Sequence, residues 1–246
     1  GDDLIGTQIL HLKDKSENFI FENIASRPVP SILRNFSAPV RLTTDLSEDD
    51  LRFLMVADSD GFNRWESAQT LTMRLINRML DSLEAGHNAV TDRAWLDTVS
   101  TLLEQALNDD GDKALIARML SFPDHSIIGQ ERAVIYPDHT HSVYTRIKYD
   151  VLTECRPQLE KLYTKLNAPK KFSPDAASMA ERALKAVALD FLTCQGDQLS
   201  SALCKEHYSN ANNMTDRMMA LGGLLDTDSP ERAEVLADFY DRYKSY

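Results

Sequence analysis

The sequence contains no long apolar run and no leader pattern, and both absences exclude a class of protein. No stretch of about 18 consecutive apolar residues occurs, so the sequence predicts no membrane-spanning helix. A basic start followed by an apolar core, the pattern of a signal peptide, is also missing. The chain begins with Gly1 rather than methionine, which fits a trimmed or excised piece and equally fits the remnant of a tag.

Cysteine is scarce as well. Three cysteines, Cys155, Cys194 and Cys204, are too few and too odd in number for a disulfide framework. All three lie among apolar or helical neighbours, away from any local glycine elbow or charged turn that would activate a nucleophile. We therefore expect reduced, mostly buried thiols in a cytoplasmic protein, and we predict no catalytic residue.

Glycine-rich loops and paired histidines are missing too. With nine glycines, the sequence has neither of the phosphate-binding patterns G-x-x-x-x-G-K-[ST] and G-x-G-x-x-G, so it predicts no nucleotide site. None of the six histidines is followed by glutamate, and no two are four residues apart, so the zinc-peptidase motif H-E-x-x-H is absent. The best remaining cluster combines His125 with 138–141, which includes His139 and His141. Its favoured interpretation is a polar helix start after Pro137, and we predict no metal ligand.

Basic residues are outnumbered, since the net charge is −11. An acidic chain repels phosphate backbones, so we expect no nucleic-acid partner and no membrane partner. The densest basic stretch comprises Lys161, Lys165, Lys170 and Lys171, which we interpret as a solvated helix end.

The first 45 residues are rich in β-forming residues. Residues 4–12 and 18–24 predict two short strands, with the polar residues 13–17 joining them as a hairpin. Prolines at positions 28, 30 and 39 restrict the following residues to edge strand or extended chain. Because an isolated hairpin is marginal in water, this segment either packs on the rest of the chain or is the end of a sandwich whose other strands lie elsewhere.

From residue 46 onward the patterns are helical throughout, and about eight to ten helices with short polar loops indicate an all-α array. Successive helix pairs suggest a solenoid-like stack without a recognisable repeat. Several residues predict helix starts, each through a cap or a proline at the first position. These are Ser47 with Asp50, Thr91 with a Val90–Trp95 staple, Ser173 with Pro174, Asn213, and Ser229 with Pro230. The helix after Ser173 carries Ala180, Leu184, Val187, Ala188 and Phe191 at helical spacing and ends at Gly196.

A turn at 58–61 precedes Trp65, which opens a helix to about Leu83. We favour an interpretation in which Trp65 anchors the core while Arg64 and Glu66 face outward. The alternative is that Arg64 and Trp65 stack on or bridge to the N-terminal segment.

The last helix is expected to carry one apolar face. This face comprises Ala233, Leu236, Phe239 or Tyr240, and Tyr243. It packs inward on Met218, Leu221, Leu224 and Leu225, stays partly bare, or is covered by another copy of the chain. Together with the open β end, it predicts weak self-association.

Several blocks resemble bacterial aminopeptidase N in order and spacing. They are FENI at 21–24, RPVPSILRNFSAPVRL at 27–42, DSDGFNRWESAQ at 58–69, ANNMTDRMMAL at 211–221 and LADFYDRY at 236–243. The resemblance covers essentially the whole chain.

The resemblance implies that residues 1–45 are the C-terminal strands of an Ig-like β-sandwich. It also implies that 46–246 form an α-helical superhelix truncated at its C-terminal end. The family's zinc motif and its G-x-M-E-N motif have no match here, so no catalytic or metal residue carries over. Zinc then belongs to the parent enzyme, and the partners of this chain are its catalytic zinc domain and short peptides. In that interpretation the chain caps the active site and restricts access. The rival interpretation is a free-standing α-solenoid that binds a protein on its concave face.

Overall fold

The structure is a computed structural model that describes residues 7–225 and 227–245. Over these residues it contains ten α-helices and one 3-10 turn, Arg34–Phe36. The helices are α1 (Glu48–Ala57), α2 (Gly61–Glu84), α3 (Arg93–Leu107), α4 (Lys113–Met119), α5 (His125–Glu131), α6 (Pro137–Leu166), α7 (Ala176–Leu192), α8 (Gln198–Asn210), α9 (Met214–Leu225) and α10 (Pro230–Tyr243). The predicted helical array is confirmed, and no strand interrupts it in the part described.

Helices that follow one another pack as pairs, and the pairs stack into an array. α1 packs on α2, α6 on α7, and α8 on α9. Further contacts join the pairs, because α3 lies against α6, α4 against α7, and α7 against α9. α10 covers part of α8 and α9. This layered order is typical of helical-repeat proteins, in which each pair buries its apolar face against the next.

Two apolar cores run through the array. The larger one is continuous from α1 to α7 and includes the fully buried Leu103, Ile147 and Leu159. The smaller one belongs to α8, α9 and α10, and its buried members are Cys204, Tyr208, Ala220, Leu221, Leu224 and Val235. The two helical parts therefore differ greatly in the apolar surface that holds them together.

The predicted strands are not found. Between residues 7 and 45 the structure shows extended chain, bends and the single 3-10 turn, and residues 4–6 of the first predicted strand lie outside the described residues. The polar stretch does form a local loop, in which the backbone N–H of Lys13 donates to Glu17 Oε2 over 3.0 Å. A strand needs a neighbouring backbone for its hydrogen bonds, and two short segments do not supply enough burial to pair stably by themselves. No sandwich is seen in the described residues, and the division at residue 45 stays a prediction.

Most predicted helix starts are close to those observed. Ser47 and Asp50 form a reciprocal capping box on α1, and Asn213 caps α9 through a 3.0 Å bond from the backbone N–H of Asp216 to Asn213 Oδ1. α10 follows Ser229 with Pro230 in its first turn.

Two predicted starts were wrong by one or two residues, and α2 begins at Gly61, four residues before the predicted Trp65. α3 is capped by Asp92 rather than Thr91, and Val90 is too exposed to form the expected staple. α7 is capped by Asp175 rather than Ser173. In both places an aspartate nearer the helix takes the role, because its carboxylate accepts directly from the first-turn N–H groups.

The buried face of α10 also differs from the prediction. Val235 is buried and Phe239 packs against the smaller core. Leu236 and Tyr240 point to solvent, with exposures of 46% and 66%. The i, i+4 pair Val235–Phe239 therefore forms the contact, and part of the apolar surface of α10 stays bare, as one of the three alternatives foresaw.

Among the described helices, none is both long and apolar enough to cross a membrane.

Candidate functional site

Arg34 joins the extended N-terminal segment to the loop between α1 and α2. One guanidinium nitrogen donates to Asp58 Oδ1 over 2.5 Å and to Ser31 Oγ over 2.9 Å, and the other donates to Ser59 Oγ over 2.7 Å. The Asp58 side chain is only 2% exposed and that of Arg34 18% exposed. This largely desolvated ion pair fixes the direction in which the segment leaves the array.

The start of α2 supplies the other half of this contact. Asn63 Nδ2 donates to Ser31 Oγ over 2.7 Å and to the carbonyl of Ile32 over 3.1 Å. The backbone N–H of Asn35 donates to Asp60 Oδ2, while Asp60 Oδ1 caps α2. Burial of Asp60 opposes its ionisation, but the N–H groups of Asn63 and Asn35 and the charge of Arg34 outweigh burial and lower its pKa.

At this contact the backbone of the segment adopts a conformation that residues other than glycine rarely adopt. Leu33, Asn35 and Phe36 all adopt left-handed backbone angles, with φ of 57°, 54° and 54°. Such residues cost about 1–3 kcal/mol each and persist only where their surroundings hold them. The Arg34 hydrogen bonds and the Phe36 ring, 4.4 Å from that of Phe62, supply the restraint. We call this contact, residues 31–36 with 58–63, the junction.

Arg64 plays another role than predicted, whereas Trp65 takes the expected one. Arg64 Nε donates to the carbonyl of Met55 over 2.9 Å, and its other arm reaches Gln105 Oε1 over 3.1 Å. Arg64 therefore turns inward onto α1 and α3, so the outward orientation was wrong. Trp65 packs against the larger core as expected, and the bridge to the N-terminal segment is made by the preceding residues Phe62 and Asn63.

A second polar cluster is buried where α6 and α7 meet α8 and α9. Lys185 Nζ donates to Asp216 Oδ2 over 2.7 Å, and both side chains are less than 10% exposed. Asn213 Nδ2 donates to the same carboxylate oxygen over 2.9 Å, and Lys185 also lies 3.5 Å from Asn167 Oδ1. A buried ion pair with these additional hydrogen bonds fixes the position of α9 against α7.

His207 extends this cluster from α8. Its Nδ1 lies 2.8 Å from the Tyr163 hydroxyl, and its Nε2 lies 3.9 Å from Asp216 Oδ1. Burial, together with the charge of Lys185, lowers the pKa of His207 to about 4 despite the opposing effect of Asp216. The imidazole is neutral at pH 7, so it forms no ion pair with Asp216. Neither Nε2 nor Oδ1 has a hydrogen-bond partner in the described part of the chain.

The histidines considered as metal ligands do not converge. The ring of His125 packs on Tyr144 at 4.4 Å and that of His139 on Tyr136 at 5.2 Å, while His141 is exposed on the surface. α6 begins at Pro137, as the favoured interpretation held. Across residues 7–225 and 227–245, no three His, Cys, Asp or Glu side chains are grouped to hold a metal ion. The described residues therefore do not fit a zinc ion.

The cysteines are unpaired and shielded. Cys155 and Cys204 are buried and Cys194 is half-buried. Burial raises the pKa of Cys155 and of Cys194 to about 11 and also raises that of Cys204. Their thiols stay protonated at neutral pH, which makes them poor nucleophiles.

Neither polar cluster was predicted from the sequence. Arg34, Asp58 and Asn63 lie in blocks that were quoted for their resemblance. No sequence pattern predicts that Arg34 contacts residues more than 20 positions away. Lys185 is the exception, because it is a charged residue next to Leu184 on the predicted apolar helix α7. A charged residue at such a position indicates a buried ion pair, and Lys185 is indeed buried.

The fold and the junction define a helical-repeat array preceded by an extended segment. Residues 48–246 match the family described as "Domain of unknown function (DUF3458_C) ARM repeats", and the chain belongs to this family. Residues 1–45 match "Domain of unknown function (DUF3458) Ig-like fold".

Named relatives make the resemblance more specific. Aminopeptidase N of Escherichia coli (strain K12) is 27% identical over 235 residues, which are 96% of this chain and 27% of the relative. Aminopeptidase N of Caulobacter vibrioides is 27% identical over 239 residues, 97% of this chain and 27% of the relative. The resemblance to aminopeptidase N is thereby confirmed, and the chain spans 27% of the length of these relatives.

A solved structure supports the fold. Legionella pneumophila aminopeptidase A in complex with aspartic acid superposes with a TM-score of 0.76 and 24% identity, covering 91% of this chain and 26% of that chain.

Proposed function

We propose that this chain is the non-catalytic C-terminal region of a zinc-dependent aminopeptidase N that removes N-terminal residues from short peptides. In this proposal the helical array caps the active site and restricts access to it. The observation that carries the proposal is that aminopeptidases N match nearly the whole chain while the chain matches only 27% of their length. The chemistry then belongs to the other parts of the parent protein.

The junction supports a capping role. A cap restricts access only if its position relative to the catalytic domain is fixed. Arg34, Asp58 and Asn63 clamp the extended segment onto the first two helices with ion-pair and amide hydrogen bonds. In this proposal residues 1–45, which match an Ig-like family, are the end of the preceding domain, and the clamp joins that domain to the array. The junction would therefore fix the position of the array relative to that domain.

Zinc and the catalytic domain enter the proposal as partners within the same polypeptide. The described residues offer no ligand set for zinc, so no step of the reaction is assigned to them. The bound metal would supply the activated water in the parent enzyme. We further propose that the parent is cytoplasmic, as the unpaired cysteines of this chain suggest.

The purified 246-residue chain tests the proposal. We expect no cleavage of aminoacyl anilides and no stoichiometric zinc by metal analysis, whereas the full-length parent shows both. One tight zinc per chain together with turnover would overturn the proposal. A parent gene that encodes no H-E-x-x-H upstream of this region would instead favour the free-standing solenoid.

A further inference from the structure

A small pocket opens beside the buried Lys185–Asp216 pair. It has a volume of about 70 Å³ and lies between the loop after α6 and the α8–α9 turn. Asn212 Nδ2 closes one side by donating to the carbonyl of Lys170 over 2.9 Å. A pocket of this size admits only a small ligand, of a few water-sized groups.

The pocket is basic although the chain is strongly acidic. Its lining includes Lys170, Lys171, Arg182 and Lys185, against the carboxylate of Asp216. Lys170 is paired with Glu181 and Lys185 with Asp216, so the excess positive charge comes from Lys171 and Arg182. Lys170 and Lys171 were predicted to belong to a solvated helix end, but the fold brings them to the mouth of a pocket. Arg182 is 8% exposed and is held in place by a 2.9 Å bond to the carbonyl of Ser173 and by stacking on Phe172. A positive pocket in a chain of net charge −11 attracts anions.

His207 presents an unused donor in this pocket. Lys185 near Asn167 Oδ1 orients that amide, so Asn167 Nδ2 donates to the Tyr163 hydroxyl. The hydroxyl proton is then free to donate to His207 Nδ1, which leaves the ring proton on Nε2. Nε2 is buried in a side chain only 1% exposed and has no partner among the described residues. Buried donors are nearly always satisfied, so an unpartnered one points to a ligand or an ordered water.

We propose that this pocket binds a small carboxylate, with His207 Nε2–H as a donor at its inner end and Arg182 and Lys171 as the cations at its mouth. A carboxylate fits better than a phosphate because Asp216 Oδ1 lies 3.9 Å from His207 Nε2 and would repel a dianion more strongly. The planar guanidinium of Arg182 also matches the geometry of a carboxylate. Free amino acids and peptide C-termini both carry this group.

The test follows the ring nitrogens of His207 by NMR while acetate is added to the 246-residue chain at pH 7 and low salt. We expect a saturable shift of Nε2 with acetate and none with acetamide, which has the same shape without the charge. Glycine and triglycine then distinguish a free amino acid from a peptide C-terminus. Tighter binding of phosphate than of acetate would contradict the assigned class. A water-only pocket, with no saturable shift, would overturn the proposal.

Variants locate the binding. Lys171→Gln removes an exposed cation at the mouth and should weaken acetate binding about threefold, the effect of one charge a few ångströms away in water. Arg182→Gln should weaken it further. Lys161→Gln, which removes a positive charge on α6 outside the pocket, should leave the affinity unchanged. Equal affinities for wild type and the Lys171→Gln chain, measured with unchanged thermal stability, would show that the pocket is not the site.

Discussion

The helices α1–α7 and the helices α8–α10 belong to one array but are stabilised in different ways. A continuous apolar core joins α1 to α7, whereas α8–α10 share a small cluster and meet α7 at the buried pair Lys185–Asp216. Apolar burial supplies most of the stability of a domain but little directional preference. A buried, hydrogen-bonded ion pair adds little net stability, yet it penalises every arrangement that separates its partners. The helices α1–α7 are therefore stabilised mainly by buried apolar surface. The buried ion pair contributes less stability to α8–α10 but fixes their position against α7.

The largest effect should come from breaking that ion pair on one side. Lys185→Met leaves the Asp216 carboxylate buried without its cation and should lower the free energy of unfolding by about 3–5 kcal/mol in urea denaturation. The double variant Lys185→Met, Asp216→Leu removes both charges and should recover much of the loss. Lys161→Met on the surface of α6 is the control and should change stability by less than about 0.5 kcal/mol. Equal losses in the single and double variants would contradict the positional role of the pair.

A matched pair of leucines separates the two cores. Leu103 and Leu224 are both fully buried, one in each core. Leu103→Ala should cost about 2–5 kcal/mol and raise hydrogen exchange throughout α1–α7. Leu224→Ala should lower the free energy of unfolding by only about 2 kcal/mol, because the smaller cluster opens locally. Its faster exchange should be confined to α8–α10. Exchange that spreads equally in both variants would mean that the array is a single cooperative unit.

Acid should weaken the α8–α10 part first. His207 has a pKa of about 4 in the folded chain and near 6.5 when unfolded, so the unfolded state binds its proton more readily. Stability is therefore fully present above pH 6.5 and declines as the pH falls toward 4, by up to about 3 kcal/mol at roughly 1.4 kcal/mol per pKa unit. Urea denaturation at a series of pH values measures the slope. His207→Gln should flatten it, and His87→Gln, at an exposed site, should not.

The smallest expected effect is weak self-association. Ile20 in the N-terminal segment is 85% exposed and Leu236 on α10 is 46% exposed. Light scattering at rising concentration should show a growing mass, and Ile20→Lys or Leu236→Lys should reduce it, depending on which surface pairs. Val90→Lys, at an apolar residue between α2 and α3 that is 68% exposed, serves as the control. A strict monomer at all concentrations would disprove self-association.

Local patterns predicted the helices well and the long-range polar contacts poorly, and the reason is physical. Caps such as Ser47–Asp50 and Asn213 act within three residues, so their chemistry is visible in the sequence. The Arg34–Asp58 and Lys185–Asp216 pairs join residues more than 20 positions apart, and only the packed helices bring them together. The N-terminal strands were predicted from β-forming residues alone, but a strand also needs a partner, which residues 7–45 do not provide for one another.

The proposed capping role is tested most directly by the peptide-length preference of the full-length parent carrying Arg34→Gln. This change removes the ion pair to Asp58 and should loosen the junction, which hydrogen exchange of the α1–α2 loop can verify. Arg41→Gln, an exposed residue of the same segment, is the control. We expect Arg34→Gln to raise cleavage of long peptides relative to a dipeptide substrate, with zinc content unchanged and Arg41→Gln resembling wild type. A length preference that stays the same in a parent whose junction has measurably opened would contradict a role of this chain in restricting access.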